Sequence, residues 1–333
     1  MILVTGGAGF IGSNFIEDWL SGCEEPVVNI DALTYAGLAA NMASFMDCPR
    51  HIFIRADITD REAITDLLAA YRPRAIVHFA AESHVDRSIL GPDAFLHSNV
   101  VGTYALLEAT RSYYASLHGQ ERENFRFIQI STDEVFGSLD LSDPGFTEDS
   151  PYRPNNPYSA SKAAADHFAR AWHTTFGLPV IISHSCNNFG PRQHAEKLIP
   201  AMITAALAGQ PLPIYGDGQQ RRDWLYVKDN CSAIRRVLEK GIPGQRYVIG
   251  GTDELANIDL VRKLCGILDE LAPNSLPYAR LISFITDRPG HDRRYKLDDV
   301  RIREELGWQP STTFEAALHH TVAWYLGRCD CKS

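Results

Sequence analysis

Tyr158 and Lys162 stand four residues apart in Tyr158-Ser159-Ala160-Ser161-Lys162, at the start of a helical run that Pro157 can initiate. That spacing is about one helical turn, so phenol and ammonium share a face. A free phenol titrates near ~10 and is a poor base at neutral pH. A neighbouring ammonium favours the phenolate by Coulomb attraction. Such a pair can take a proton from a hydroxyl while the adjacent carbon gives up hydride. A site for the hydride acceptor stands earlier in the chain. Thr5-Gly6-Gly7-Ala8-Gly9-Phe10-Ile11-Gly12 puts glycines at 6, 9 and 12 between a strand pattern and a helix pattern. Glycines there allow a tight turn and let backbone N–H groups and a helix N-terminus face a pyrophosphate. Asp31 ends the next strand, where a carboxylate accepts from both adenosine ribose hydroxyls and repels a 2′-phosphate, so NAD is expected rather than NADP. Asp57-Ile58 follows the third strand and either meets the adenine edge or caps a turn. A further group, Thr132-Asp133-Glu134, follows another strand, at the end of a parallel strand where ligands bind.

The elements that must position these residues alternate. Strands are expected over Ile2–Thr5, Val27–Asp31, 52–55, 75–79, 125–130 and 180–183. Helices are expected over 12–20, Arg61–Tyr71, 92–117 and Pro157–Phe176. The strands are almost wholly apolar, as when both faces are buried. Alternation of this kind implies right-handed crossovers and a parallel sheet. The expected fold is α/β, a Rossmann-type doubly wound parallel sheet with a smaller C-terminal substrate-binding lobe. Proline and glycine become dense after Asn187. The division expected is 1–189 for the NAD-binding domain and 190–333 mainly for the lobe, with some later segments returning to the first sheet.

The 333 residues carry a net charge of −9, against a general nucleic-acid binder or an anionic-membrane binder. No apolar run approaches the ~20 residues that span a bilayer. Met1-Ile2-Leu3-Val4 is strand-like without a basic region, so no secretory signal is expected. Seven scattered cysteines fit reduced thiols in the cytoplasm better than a disulfide framework. No metal is expected: Cys329 and Cys331 lack a second ligand pair, and His319-His320 reads as a solvated or half-buried pair.

Across nearly its whole length the chain resembles the extended short-chain dehydrogenase/reductases, and among them the dTDP-glucose 4,6-dehydratases. The motifs that carry the resemblance are the residues 5–12, 80–88, 131–135 and 158–162, Asn187-Asn188, and the residues 196–200, 221–226 and 287–294. The resemblance implies that dTDP-glucose is oxidised at C4, loses water across C5 and C6, and is reduced at C6 with internally recycled NAD. A C4 ketone acidifies the C5 proton, so a base can remove it while an acid protonates the departing C6 hydroxyl. By resemblance Glu134 is the base and Asp133 the acid, with Thr132 supplying a hydroxyl beside Tyr158 and Lys162. Two adjacent carboxyl groups must then hold different protonation states.

By the same resemblance NAD meets Gly6, Gly9, Phe10, Ile11 and Gly12, then Asp31, Ala32, Leu33 and Thr34, then Asp57 and Ile58. Phe79, Ala80, Ala81, Ser83 and Ser98 complete that site with Tyr158, Lys162 and Asn188. Ser83, Ser98 and Thr132 face the hexose, and Asn188 the nicotinamide side. Asn187, Lys197, Leu198, Pro213, Ile214 and Tyr215 line the nucleotide-sugar site, with Arg222, Asn257, Asp287, Arg288 and His291. Lys197, Arg222 and Arg288 are the candidates for the phosphates. Asn99 is expected to hold the helix or a water near Lys162, and His84 to pack or orient. Relatives of this architecture pair through two long helices, so a homodimer through 93–117 and the helix after Tyr158 is expected.

The chain departs from the family at Phe136 and Phe189, where tyrosine is common, and at His184-Ser185-Cys186, where an arginine-containing run is more usual. Each leaves the catalytic groups in place and alters hydrogen bonding around them. The alternatives are a UDP-glucose dehydratase, a sugar-nucleotide epimerase, a uronate decarboxylase and a non-catalytic dinucleotide sensor. The last is disfavoured because Tyr158, Lys162, Asp133 and Glu134 are all present. The downstream route, rhamnose or another deoxysugar, is left open.

Overall fold

A computed structural model describes residues 1–330, with the side chains of 328–330 excepted. Seven strands form one parallel sheet: β1 (Ile2–Thr5), β2 (Val27–Asp31), β3 (His51–Arg55), β4 (Ala75–His78), β5 (Arg126–Thr132), β6 (Val180–Ser185) and, after three strands of the lobe, a late member. The lobe strands are β7 (Asn187–Phe189), β8 (Leu212–Tyr215) and β9 (Arg221–Tyr226); β10 (Arg246–Ile249) is the one that returns. Two more follow, β11 (Asp253–Ala256) and β12 (Ile282–Ile285). The sheet order is β3-β2-β1-β4-β5-β6-β10. The direction of winding reverses between β1 and β4, which opens a crevice at their carboxyl ends.

The strands read as continuous apolar runs because helices cover both faces. Ile2 and Val4 point into one core with Phe15, Ile16 and Trp19, and Leu3 into the other with Ile64 and Leu68. Each such side chain contributes roughly 1.5–3 kcal/mol by leaving water. The helix Phe10–Gly22 lies on the first face and Arg61–Tyr71 on the second.

Several expected elements differ in detail. The fifth strand runs on to Thr132, because Ser131 and Thr132 pair with His184 and Ser185 of β6. The expected helix over 92–117 is broken into Asp93–Phe95, a π-helical turn Leu96–Gly102, and Thr103–Ala115. Asn99 sits in that turn and bonds both backbone groups of Glu82, a distant partner that local patterning cannot register. The late return of β10 means that the chain after residue 190 does not all belong to the lobe. β7, β9 and β11 form a small sheet in the lobe, and β8 with β12 another.

Cys331 and the side chain of Cys329 lie outside the described residues. Among the described residues no helix is long and apolar enough to cross a membrane, and no His, Cys, Asp or Glu cluster is placed to hold a metal ion.

Candidate active site

The glycine turn is built without slack. Gly6 has φ +74°, and a Cβ on it would lie 2.5 Å from the Ala80 backbone nitrogen. A Cβ on Gly12 would lie 2.3 Å from the Gly6 carbonyl oxygen. The following helix begins after Gly9 with no side-chain cap, so its first N–H groups remain open to an anion. Asp31 accepts from the Ala8 N–H at 2.9 Å and the Leu33 N–H at 2.8 Å, which aims the carboxylate at the crevice. These residues suit a dinucleotide: a cradle that admits only hydrogen at two positions, an open helix terminus and a carboxylate beyond it.

The crevice is lined by Gly6, Gly9, Phe10 and Ile11, by Asp31, Ala32 and Thr34, by Asp57 and Ile58, and by Phe79, Ala80, Ala81, Ser83 and Ser98. Tyr158, Lys162 and Lys197 line it too, so the glycine turn and the tyrosine–lysine pair face one space. Gly12, Leu33 and Asn188 stand outside the lining. Gly12 supplies the close approach to Gly6; Leu33, at φ +54°, packs towards the core. The Asn188 amide nitrogen donates to the Cys186 carbonyl. Asp57 accepts from the backbone and hydroxyl of Thr59, so it caps a turn while bordering the crevice.

Asn156 starts the catalytic helix Pro157–Phe176. Its side chain accepts from the Ser159 N–H at 2.9 Å, and Ser159 closes a capping box. Tyr158 is therefore in the first turn, with Lys162 one turn on. The Lys162 ammonium donates to the Ile130 carbonyl at 2.6 Å. Burial pushes the Tyr158 phenol up, the Glu134 carboxylate pushes it further, and the Thr132 hydroxyl opposes both. Burial and the neighbouring carboxylates thus favour the protonated phenol in the protein alone.

The adjacent acids occupy unlike surroundings. Asp133 is 1% exposed, and burial, then the charges of Glu134 and Asp223, hold its carboxyl well above the usual range. One oxygen accepts from the Thr132 hydroxyl at 3.2 Å, and the other is buried without a hydrogen-bond partner. Burial also raises Glu134, but Lys197, Arg288 and Arg222 oppose the rise, as does the Asn156 amide. Asp133 is thus disposed to keep a proton and Glu134 to lose one.

The three cations meet around Glu134 from different segments. Lys197 donates to the Ser83 carbonyl at 2.8 Å, and Arg288 reaches Asp86 at 3.3 Å. Arg222 is 5% exposed, lies 4.3 Å from the Tyr295 ring centre and donates to the Asp292 carbonyl. Nearby, His291 is 2.6 Å from Asp287 and stands edge-on to Tyr215. Pro213 and Ile214 precede Tyr215 on β8. Leu198 opens one lobe helix and Asn257 another, the latter with its side-chain oxygen buried and unpartnered. Asn187 is on β7, opposite Trp224.

Sequence reasoning missed a cluster of contacts beside the crevice, of which Tyr35, Arg192 and His194 line it. Tyr35 lies under the Arg87 guanidinium, 4.1 Å from its ring centre, and edge-on to His194. Glu196 reaches Arg87 at 3.5 Å and His84 at 3.5 Å. Arg192, with φ +71°, lines the same crevice and bonds Glu17 at 2.6 Å. These contacts join segments far apart in the chain, and no local motif signals them.

Residues 3–321 match the family model described as GDP-mannose 4,6 dehydratase. The chain belongs to that dehydratase family. It is 53% identical to a dTDP-glucose 4,6-dehydratase of Haemophilus influenzae over 329 residues, 98% of this chain and 97% of that protein. The crystal structure of DesIV, a dTDP-glucose 4,6-dehydratase from Streptomyces venezuelae with NAD bound, is similar at TM-score 0.89 and 44% identity, covering 99% of this chain and 98% of that one. A Bacillus anthracis dTDP-glucose 4,6-dehydratase in complex with NAD is similar at TM-score 0.86 and 42% identity, over 99% of this chain and 97% of that one.

Proposed function

We propose that this chain is an NAD-dependent dTDP-glucose 4,6-dehydratase, a hydro-lyase of deoxysugar biosynthesis. The observation that carries the reading is the pairing of Asp133 with Glu134 beside Tyr158, one acid among carboxylates and the other among cations. Its near full-length likeness to dTDP-glucose 4,6-dehydratases supports that choice of substrate.

Gly6, Gly9, Asp31 and the open helix terminus would hold NAD, with Lys162 and Tyr158 at the reactive end. When bound, NAD supplies a positively charged hydride acceptor that takes hydride from C4 and returns it to C6. Tyr158 receives the C4 hydroxyl proton, with Thr132 hydrogen-bonded to the same phenol. Glu134 removes the C5 proton that the C4 ketone acidifies. Asp133 gives its proton to the C6 hydroxyl, and the C–O bond breaks to release water. A proton returns to C5 as C6 is reduced, so the product is a 4-keto-6-deoxy sugar nucleotide and no net redox occurs. Lys197, Arg222 and Arg288 face the nucleotide diphosphate.

Incubation with dTDP-glucose, UDP-glucose and GDP-mannose in parallel tests the reading. The expected result is a 4-keto product from dTDP-glucose without net consumption of NAD. Failure to lose water from any of the three would overturn it.

The assembly proposed is a homodimer. Leu96, Val101 and Tyr104 are exposed along the segment that packs beside the catalytic helix, and Leu90 just before them is 89% exposed. Pairing of that segment and the catalytic helix with their copies would cover this apolar surface. Light scattering of the purified protein reads the mass. A cytoplasmic location is proposed as well, on the free thiols Cys23, Cys48, Cys186, Cys231 and Cys265. The division into an NAD-binding part, 1–189, and a sugar-nucleotide part, mainly 190–333, is proposed with β10 assigned to the first.

A further inference from the structure

Tyr158, Lys162 and Asp166 fall at successive steps of four along Pro157–Phe176, on one face of the helix. The third member has no part in the chemistry described above. Asp166 is 1% exposed. Its Oδ2 accepts from the Ser131 hydroxyl at 2.6 Å and the Tyr152 hydroxyl at 3.1 Å. His184 Nε2 lies 3.2 Å from the same oxygen and 2.8 Å from the Tyr152 oxygen. Oδ1 is buried with no hydrogen-bond partner.

Ser131 lies between Ile130, whose carbonyl takes the Lys162 ammonium, and Thr132-Asp133-Glu134. Asp166 therefore ties the catalytic helix to the strand end that carries the acid and the base. An amide oxygen could accept the same hydrogen bonds without the cost of burying a charge. Lys162, one turn earlier on the same helix face and bonded to the carbonyl of Ile130 next to Ser131, is the buried cation nearest to it along the helix, and His184 is the titratable group in direct contact. The other groups around this face are His78 on β4, a buried neutral imidazole, Tyr152 in the preceding loop, His184 on β6 and Arg246 on β10, whose guanidinium lies 5.6 Å from the Tyr152 ring centre. Tyr158 faces Glu134 and Asp133 on the turn after β5.

We infer that Asp166 is a positioning residue for proton transfer: it is the counter-charge of Lys162 and the clamp that sets Ser131, and with it the acid–base turn, against the catalytic helix. The inference rests on the reading of Tyr158 and Lys162 as the oxidising pair. Burial alone lowers Lys162, and the Asp166 charge opposes that fall. Removing the charge makes Lys162 lose its proton at a lower pH.

Asp166→Asn keeps a hydrogen-bond acceptor and deletes the charge. The expected result is a kcat at least tenfold lower, a KM for dTDP-glucose changed less than threefold, and an alkaline limb of the kcat–pH profile moved to lower pH. Asp166→Glu restores the charge and is expected to move the limb back. A second measurement needs no turnover: the pH dependence of NAD affinity, read by quenching of tryptophan fluorescence, is expected to shift in the same direction. An alkaline limb and an affinity profile that superimpose on those of the parent would overturn the inference, whether or not the melting temperature falls. If the parent protein binds NAD but dehydrates no sugar nucleotide, the functional reading fails, and the affinity profile still decides the role of Asp166.

Discussion

Asn156 caps the catalytic helix with its side-chain oxygen and, with its amide nitrogen, lies 3.4 Å from the Glu134 Oε2. One residue thus sets the start of the helix that carries Tyr158 and steadies the base opposite. Asn156→Ala is expected to lower the unfolding free energy by ~1 kcal/mol through loss of the cap, and to slow dehydration further than that loss explains. Asn156→Asp keeps the cap but faces Glu134 with a second carboxylate. Its melting temperature is expected to stay near the parent value while the acid limb of the activity profile moves to higher pH. A limb that does not move would detach Asn156 from the base.

The division of labour between Asp133 and Glu134 is separable by isotope exchange. Glu134→Gln is expected to oxidise C4 but to exchange no C5 hydrogen with D2O. Asp133→Asn retains the base, so C5 exchange continues while the C6–O bond stays intact. Overall dehydration should fall by ~10²–10⁴-fold in each, the range for loss of one general acid or base. Exchange abolished in Asp133→Asn and retained in Glu134→Gln would reverse the roles.

The role proposed for Glu134 as base requires its ionised form. Burial places its titration above the ordinary carboxylate value, so the rate rises with pH through that raised value and is lost below it. Lys197 is the foremost of the cations that oppose the rise. In Lys197→Met, at saturating substrate, the acid limb of kcat is therefore expected to lie at higher pH than in the parent. A limb displaced to lower pH, or not at all, would contradict the electrostatic account.

Gly6→Ala forces a side chain into a left-handed backbone position and against the Ala80 backbone. NAD in thousandfold excess over its Kd stabilises the folded state by ~4.1 kcal/mol. That thermal shift should appear in the parent and vanish in the variant. A shift of the same size in both would show that the turn does not set cofactor affinity.

What could be read from residue order divides by the range of the interaction. The glycine turn, Asp31 and the Tyr158–Lys162 spacing are local: the turn joins a strand to a helix, Asp31 ends β2 and the pair opens a helix. The acidic pair is legible as residues, and by resemblance as acid and base, but the surroundings that separate the two are not. Asp133 is pushed towards protonation partly by Asp223 of β9, and Glu134 is restrained by Lys197, Arg222 and Arg288, all contributed by the second half of the chain. The interrupted helix at Leu96–Gly102 escaped because its reason is Asn99 gripping Glu82. His184 was noticed only as a departure from the family pattern. Its meaning as a neighbour of Asp166 and Tyr152 needs β6 and the catalytic helix side by side.

The single crevice shared by the glycine turn and the tyrosine–lysine pair also bears on how the enzyme stands within a cell. A coenzyme returned to its starting oxidation level after each sugar has no chemical reason to leave between turnovers. Flux through this step would then follow the supply of sugar nucleotide and be insulated from swings in the NAD-to-NADH balance.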